Sequence, residues 1–533
     1  MKPLKVVLFK PSKYNPDGHV QRFWRGFLPN ATGNHIKSMT PREMNGRLIE
    51  SQYIDENVYH PSEYLQLMES TPGYETLVAL VGVQSHQFQR ALDLAAYAKD
   101  RGCMSIIGGP HPMTCDTTML QGRGVSFALA EAEIVWPAIL ADAMDGELRP
   151  VYGATQRWTK ELDPPVLQPP TRDALRRYIL PLMGVYPARG CPFLCNFCSV
   201  IKIAGRRVRS QPIETTIQTL RAAKAAGVKT IFFTSDNLNK YAEVKELMQA
   251  MIDEKIGLDF FCQCDTQAER QGDLIELMAR AGCFQIFVGV ESFDRAALNG
   301  AHKGQNRPET YDQIVRLCRD NGITSHFSNI IGFPNQTRTQ VLEHLDVLRG
   351  MAPNLASFYI LTPIPGTEQY ADFLGEGLIT ERNLDRYDTT HLLFRHPNLS
   401  SKELTALLFR SYREFFHLSD TFRKAMASYR KHPRPGQAVL ESAAATIFHW
   451  ASGALKRHPM SGGIGIRKID RAAEYLPYRR KYFGDALEEG DLVPLPGNLE
   501  LSETDAALNR KVNLAEFPIA GPSLRKSLVP SPA

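Results

Sequence analysis

The stretch Arg189-Gly190-Cys191-Pro192-Phe193-Leu194-Cys195-Asn196-Phe197-Cys198 decides how this chain is read. Three of its eight last residues are cysteines in C-x3-C-x2-C spacing, so one short loop can offer three thiolates to three irons of a cubane cluster. The fourth iron then stays open to a small chelating ligand. Zinc would ask for a fourth protein donor close by, and the next candidates, His302 and Cys262, are remote and unpatterned.

Outward from this loop the chain repeats strand and helix. Helical spacing over 214–226 stops at Gly227, a natural C-terminal cap, and a strand follows at 230–233. Further strands are predicted at 260–262, 286–290, 328–332 and 358–361, with helices around 273–280, 310–321 and 339–348. This succession predicts a partial (β/α) barrel with its site at the carboxyl ends of the strands. Asp236-Asn237, Glu291-Ser292 and Gly332-Phe333-Pro334 end three of them and are expected at one mouth. Cys262 and Cys264 share a strand face and, with Cys283 and Cys318, are expected to pack in the core.

Ahead of the barrel, apolar runs at 6–9, 77–83 and 105–107, with helical spacing over 88–99, predict a doubly wound parallel sheet. Ligands of such sheets lie beyond the strand ends, so the Gln84-Ser85-His86 patch and the Gly108-Gly109 turn are expected to face one crevice. Residues 19–59 show no clean periodicity and receive no role. Prolines crowd 163–170, marking an extended, solvated linker. The expected domains are therefore 1–165, 166–395 and 396–533. Beyond Asn398 the pattern turns helical, with Ser400 or Ser401 as a cap, and from Pro494 onward a poorly ordered tail is expected.

With Phe197 before the last cysteine, the loop has a C-x3-C-x-aromatic-C form that resembles the radical S-adenosylmethionine (SAM) superfamily. The stretch from Val81 to Pro112, followed by Ala130-Glu131-Ala132-Glu133, resembles the cobalamin-binding domain found ahead of many of its members. Together they resemble the cobalamin-dependent class. That resemblance implies an α/β fold: an N-terminal doubly wound, Rossmann-like cobalamin-binding domain, a central partial TIM-type barrel of radical SAM type, and a helical C-terminal region. It also implies three cofactors: a 4Fe-4S cluster on Cys191, Cys195 and Cys198, SAM, and cobalamin.

For SAM, the resemblance places Asp236 and Asn237 at the methionine amino group, Glu291 on the ribose or sulfonium side, and Phe197 with Gly332 at the adenine. For cobalamin it places Gln84, Ser85 and His86 near the lower face, with Gly108, Gly109 and Glu131 lining the site. One departure stands out. The D-x-H-x-x-G signature of the methionine synthase type is missing, since Asp17-Gly18-His19 lacks the glycine three residues on. A histidine of that motif is therefore not expected on the cobalt. Methylthiotransferases resemble a different N-terminal domain with three further cluster cysteines, whereas only Cys103 and Cys115 precede Cys191 here.

The implied reaction is methyl transfer to an unactivated carbon through a 5'-deoxyadenosyl radical, with an electron donor such as flavodoxin or ferredoxin. Two alternatives stay open: cyclisation or rearrangement with the same cofactors, and a non-catalytic iron-sulfur or cobalamin carrier. Composition sets outer limits. The 533 residues are 43% hydrophobic and 22% charged, as in a globular enzyme. An odd count of nine cysteines and no signal-like N-terminal run place the chain in the cytoplasm. No apolar segment approaches the ~20 residues of a membrane span. A net charge of +5 does not argue for nucleic acid. Between 423 and 481, basic residues such as Arg423, Lys468, Arg479 and Lys481 lie among Trp450, Tyr475 and Tyr482. The bland reading is the solvated face of a helical lid. The sharper one is a surface for anionic lipid headgroups, hence peripheral membrane contact, or for RNA, and it favours a lipid or other membrane-associated molecule over a peptide as the small-molecule or lipid substrate.

Overall fold

In the computed structural model, which describes residues 2–381, 383–431, 435–453, 457–459 and 462–484, the strand Leu4–Lys10 is apolar on both faces. Val7 and Phe9 face one core, Leu4, Val6 and Leu8 the other, as suits a parallel strand covered on both sides. It belongs to a seven-stranded sheet ordered Glu43–Met44, Arg47–Asp55, Leu4–Lys10, Glu75–Leu80, Met104–Gly108, Ser126–Ala128, Val151–Tyr152. All neighbours are parallel except the edge pair Glu43–Met44 and Arg47–Asp55. The strand order reverses between Leu4–Lys10 and Glu75–Leu80, which opens a crevice beyond their carboxyl ends. Helices Ala31–Met39 and Ala132–Met144 cover one face and Phe88–Asp100 the other.

The doubly wound sheet is as expected, but residues 19–59 hold more structure than their sequence suggests. Strand Arg47–Asp55 buries only Ile49, Ile54 and Asp55, so its alternation is broken. Helix Ala31–Met39, capped by the Asn30 side chain, carries Gly33 where the ring of Tyr53 closes in. A Cβ on Gly33 would stand 2.0 Å from that ring. Close packing thus selected a poor helix former.

Six parallel strands make the central unit in the order Leu182–Val185, Thr230–Phe233, Asp259–Cys264, Cys283–Glu291, Thr324–Ile331, Leu355–Ile360. The first and last do not pair, so the barrel is partial, as predicted. Phe233, Phe260, Cys262, Cys264 and Val288 face the surrounding helices, and Cys283 and Cys318 join them in that core. The two-residue period of the strands sends Phe232, Phe261 and Phe287 to the opposite side. Strand Leu182–Val185 is short and interrupted by Gly184, which hid it from a periodicity reading. There the missing side chain admits the N-terminal helix, for a Cβ on Gly184 would lie 2.6 Å from the Ala31 Cβ.

The proline-rich linker is extended yet not freely solvated. Leu162 and Leu167 are buried, and the Leu167 N–H donates to Thr219 Oγ1 at 3.1 Å. Past the barrel, Ser400 caps helix Ser401–Phe415 in a reciprocal pair with Glu403. Tyr412 of that helix accepts from the Phe358 N–H at 3.0 Å, fixing it to the last barrel strand. Helices Leu418–Lys431 and Pro435–Gly453 follow.

The chain then returns to the N-terminal sheet. Strand Gly463–Ile466 pairs with Phe23–Gly26, and helix Ala472–Phe483 packs on Phe88–Asp100. This narrows the basic surface, because several of its cations pair with acids of the N-terminal domain, Arg479 in a buried pair and Lys481 and Lys468 in pairs that leave them 60% and 58% exposed. Arg479 binds Asp93 at 2.6 Å, Lys481 binds Asp100 at 2.5 Å and Lys468 binds Asp17 at 2.6 Å. The tail expected from Pro494 onward lies outside the described residues. Among those described, no helix is long and apolar enough to cross a membrane.

Candidate active site

The cysteine loop is set by its neighbours in space. Gly190 adopts φ +105°, and a Cβ there would land 2.3 Å from the Arg207 carbonyl oxygen, so glycine is required. Its N–H donates to Asp236 Oδ2 at 3.0 Å. Next along the strand end, Asn237 Nδ2 lies 3.2 Å from Cys191 Sγ, and from across the mouth Gln305 Nε2 lies 3.6 Å from Cys195 Sγ. Burial, reinforced by the neighbouring thiols, pushes the Cys191 thiol well up and that of Cys198 up to about 12. Burial also raises Cys195, against the pull of Lys303.

Thiols so desolvated ionise only against a cation, which makes this donor set suited to a metal centre. Among the described residues, no three His, Cys, Asp or Glu side chains close on a point as they would around one ion. A cubane asks for something else, since each thiolate takes its own iron.

Two further strand ends complete the mouth. Glu291 sits at φ +61°, beyond a register shift, with Oε1 accepting from Lys303 Nζ at 2.7 Å and Oε2 from Ser328 Oγ at 3.4 Å. Gly332, at φ +86°, backs onto Leu404, and its N–H donates to Gln336 Oε1 at 2.8 Å. Phe197 packs with Ala301 and Phe333 in one apolar cluster. Burial raises the Asp236 carboxyl, a shift that the Gly190 amide and Arg189 only partly offset.

A cavity of about 380 Å³ lies between the N-terminal domain and the barrel. Of the mouth's residues only Arg189 and Asp236 line it, while the three cysteines, Asn237, Phe197, Glu291 and Gly332 do not. Its walls include Gly82, Gln84, Gly108, Gly109 and Glu131 at the sheet's strand ends, and Arg189 and Asp236 from the barrel. Deeper in, Ala79, Ile106, Ala128 and Trp136 make an apolar slot. His35, from the helix the sequence left without a role, also lines it.

A network ties the two domains across this space. Glu133 Oε1 meets His35 Nε2 and Arg189 Nη1, each at 2.8 Å, while Arg209 bridges to Glu131 at 2.7 Å. Burial alone would raise the Glu133 carboxyl, but Arg189 and His35 outweigh it and hold it low. Among the described residues nothing pairs with His35 Nδ1 or Glu133 Oε2, both buried. Two buried, unsatisfied polar atoms beside an apolar slot fit a large amphipathic ligand.

Not every candidate converges here. Ser85 Oγ lies 3.1 Å from His111 Nδ1, and His86, held to about 3 by burial, faces the Tyr387 backbone near Lys13 and Asp388. Neither is among the cavity's lining, in contrast to the crevice expected from sequence. Glu131 lines it while both its oxygens bind Arg209. Lys303, Gln305 and His35 were missed, because single polar residues in loops and an aperiodic helix carry no pattern until the fold gathers them.

The family profile that matches is that of the radical SAM superfamily, over residues 185–348. This central unit is a radical SAM domain. The match opens in the barrel's first strand and spans the cysteine loop, Asp236, Glu291 and Gly332. Over 376 residues the chain is 24% identical to the bacteriochlorophyllide d C-12(1)-methyltransferase of Chlorobaculum tepidum, covering 69% of this chain and 80% of that enzyme. Among solved structures it resembles the radical SAM methyltransferase TsrM of Kitasatospora setae with cobalamin and a [4Fe-4S] cluster bound. That likeness has a TM-score of 0.59 at 15% identity, over 83% of this chain and 100% of that one. It also resembles the cobalamin-dependent radical SAM enzyme OxsB with aqua-cobalamin and SAM bound, at a TM-score of 0.57 and 13% identity over 99% and 82% of the two chains. The radical SAM domain here thus follows a doubly wound domain in the arrangement of those folds.

Proposed function

We propose that the chain is a cobalamin-dependent radical SAM methyltransferase that acts on an unactivated carbon of a small molecule. The observation that carries this reading is one cavity walled by the strand ends of the doubly wound domain on one side and by Asp236, which holds the cysteine loop, on the other. Cys191, Cys195 and Cys198 would hold the cluster. Asp236, Asn237 and Glu291 would meet the polar parts of SAM, with Phe197 and Gly332 on its adenine side. Gly108 and Gly109, which line the cavity, would border a corrin together with Gln84, Glu131 and His35.

When bound, these cofactors supply a reductively formed 5'-deoxyadenosyl radical and a transferable methyl group. The chain's own residues supply position and exclusion. Asp236 and Asn237 fix the cysteine loop, Glu291 is aimed inward from a bulged strand end, and the Arg189 to Glu133 ion pair locks the two domains across the cavity. Apolar walls such as Trp136 and Ile139 keep water from the slot.

An electron donor such as flavodoxin or ferredoxin would reduce the cluster. Nine free cysteines suit a reducing cytoplasm. Phe422 and Trp450, exposed on the helices Leu418–Lys431 and Pro435–Gly453, support contact with a membrane surface and a lipid-like substrate. Anaerobically reconstituted protein given reductant, methyl-labelled SAM and candidate substrates tests the reading. Label in the product together with 5'-deoxyadenosine supports it. 5'-Deoxyadenosine without label transfer favours cyclisation or rearrangement, and neither product would leave a carrier.

A further inference from the structure

We propose that Lys303 sets the reduction potential of the cluster on Cys191, Cys195 and Cys198, acting as a positioning residue through its fixed charge. The inference rests on the cluster reading above. Lys303 follows helix Arg295–Gly300, and its side chain is only 12% exposed. Its Nζ lies 2.7 Å from Glu291 Oε1 and 5.8 Å from the ring centre of Phe197, the residue bonded to Cys198.

Room for this ammonium is built into the strand. At Gly289 a Cβ would fall 2.6 Å from Glu291 Oε1 and 3.1 Å from Lys303 Nζ, and Asn306 Nδ2 holds the bulge by donating to the Gly289 and Val290 carbonyls at 2.9 and 2.8 Å. The Glu291 carboxylate at 2.7 Å compensates the burial of the Lys303 ammonium, so it stays charged.

Reduction adds an electron to the cluster. A cation fixed beside it in a site of low dielectric stabilises the reduced form and raises the potential. Gln305 and Asn237, donating toward the sulfurs of Cys195 and Cys191, act with the same sign. Glu291 acts against it by masking part of the ammonium's field. The pair therefore works as a setting: less carboxylate charge at Glu291 means a higher potential, and no cation at 303 means a lower one.

Redox titration of the anaerobically reconstituted full chain, followed by electron paramagnetic resonance, tests this alongside iron and sulfide analysis. Lys303→Gln is expected to lower the midpoint by about 59 mV or more, tenfold in the one-electron equilibrium, Lys303→Arg to leave it near the parent value, and Glu291→Gln to raise it. An unchanged potential in Lys303→Gln at full iron content overturns the proposal. If that variant does not retain iron, Glu291→Gln decides, and an unchanged or lower potential there overturns it. A parent chain that takes up no cluster fails at the iron analysis, which overturns the cluster reading and this inference together.

Discussion

Asp236 accepts the Gly190 N–H at 3.0 Å, so the end of one barrel strand grips the cysteine loop at its entry. The grip is selective for backbone, since Gly190 is held at φ +105° by the Arg207 carbonyl behind it.

Replacing Asp236 by Ala leaves that buried amide without its acceptor, at a cost of about 1–3 kcal/mol. The loop loosens, and iron retention against a chelator is expected to fall several-fold together with the unfolding midpoint. Iron analysis and thermal denaturation check both, and unchanged iron retention would contradict the anchoring role.

Filling the apolar slot separates the two cofactors. Ala128 is 8% exposed and lines the cavity, so the larger side chain of Ala128→Leu is expected to occupy the slot. Cobalamin uptake should weaken more than tenfold while the iron-sulfur absorption stays intact. Optical titration with cobalamin reads the first and the cluster bands the second.

Acid stability follows from Glu56, fully buried between Arg22 and Arg90 at 2.8 and 2.6 Å. Burial alone would raise its carboxyl, but the two arginines outweigh that and hold it at about 2, below the usual 4.5. A depressed carboxylate stabilises the fold above its unfolded value, and that contribution is lost as pH falls from about 4.5 through about 2. The amount is on the order of 3 kcal/mol. Denaturant midpoints between pH 7 and pH 2 should show the drop, and Glu56→Gln should be less stable at pH 7 with the acid step diminished.

The returning helix Ala472–Phe483 depends on Arg479, which meets the fully buried Asp93. Arg479→Ala strands that carboxylate beside the Tyr14 hydroxyl, 2.5 Å away, at about 3–5 kcal/mol. Amide exchange over 472–483 should then quicken by orders of magnitude while the barrel strands stay protected.

The barrel and the doubly wound sheet were legible because their strands are apolar runs separated by amphipathic helices. The cysteine loop was legible as a donor set because its three thiols fall within eight residues. What the sequence concealed is long-range. His35 lies on a helix whose Gly33 and Asn34 obey the ring of Tyr53 and the linker carbonyl of Gln168 rather than any helical period. Lys303 gains meaning only once a bulged strand aims Glu291 at it. Ser85 and His86 follow the right strand, yet the short turn Ser85–Gln87 directs them to His111 and to the loop around Tyr387. The basic residues near the C-terminus looked like a surface because their acidic partners, Asp17, Asp93 and Asp100, lie more than three hundred residues away in sequence.

The most direct measurement is the cofactor content of one purified, anaerobically reconstituted chain. The account predicts about four irons and about one cobalamin per chain, with the iron lost and the cobalamin kept when Cys191, Cys195 and Cys198 are replaced together by Ala. A chain that binds no cobalamin, or keeps its iron without those cysteines, would contradict it.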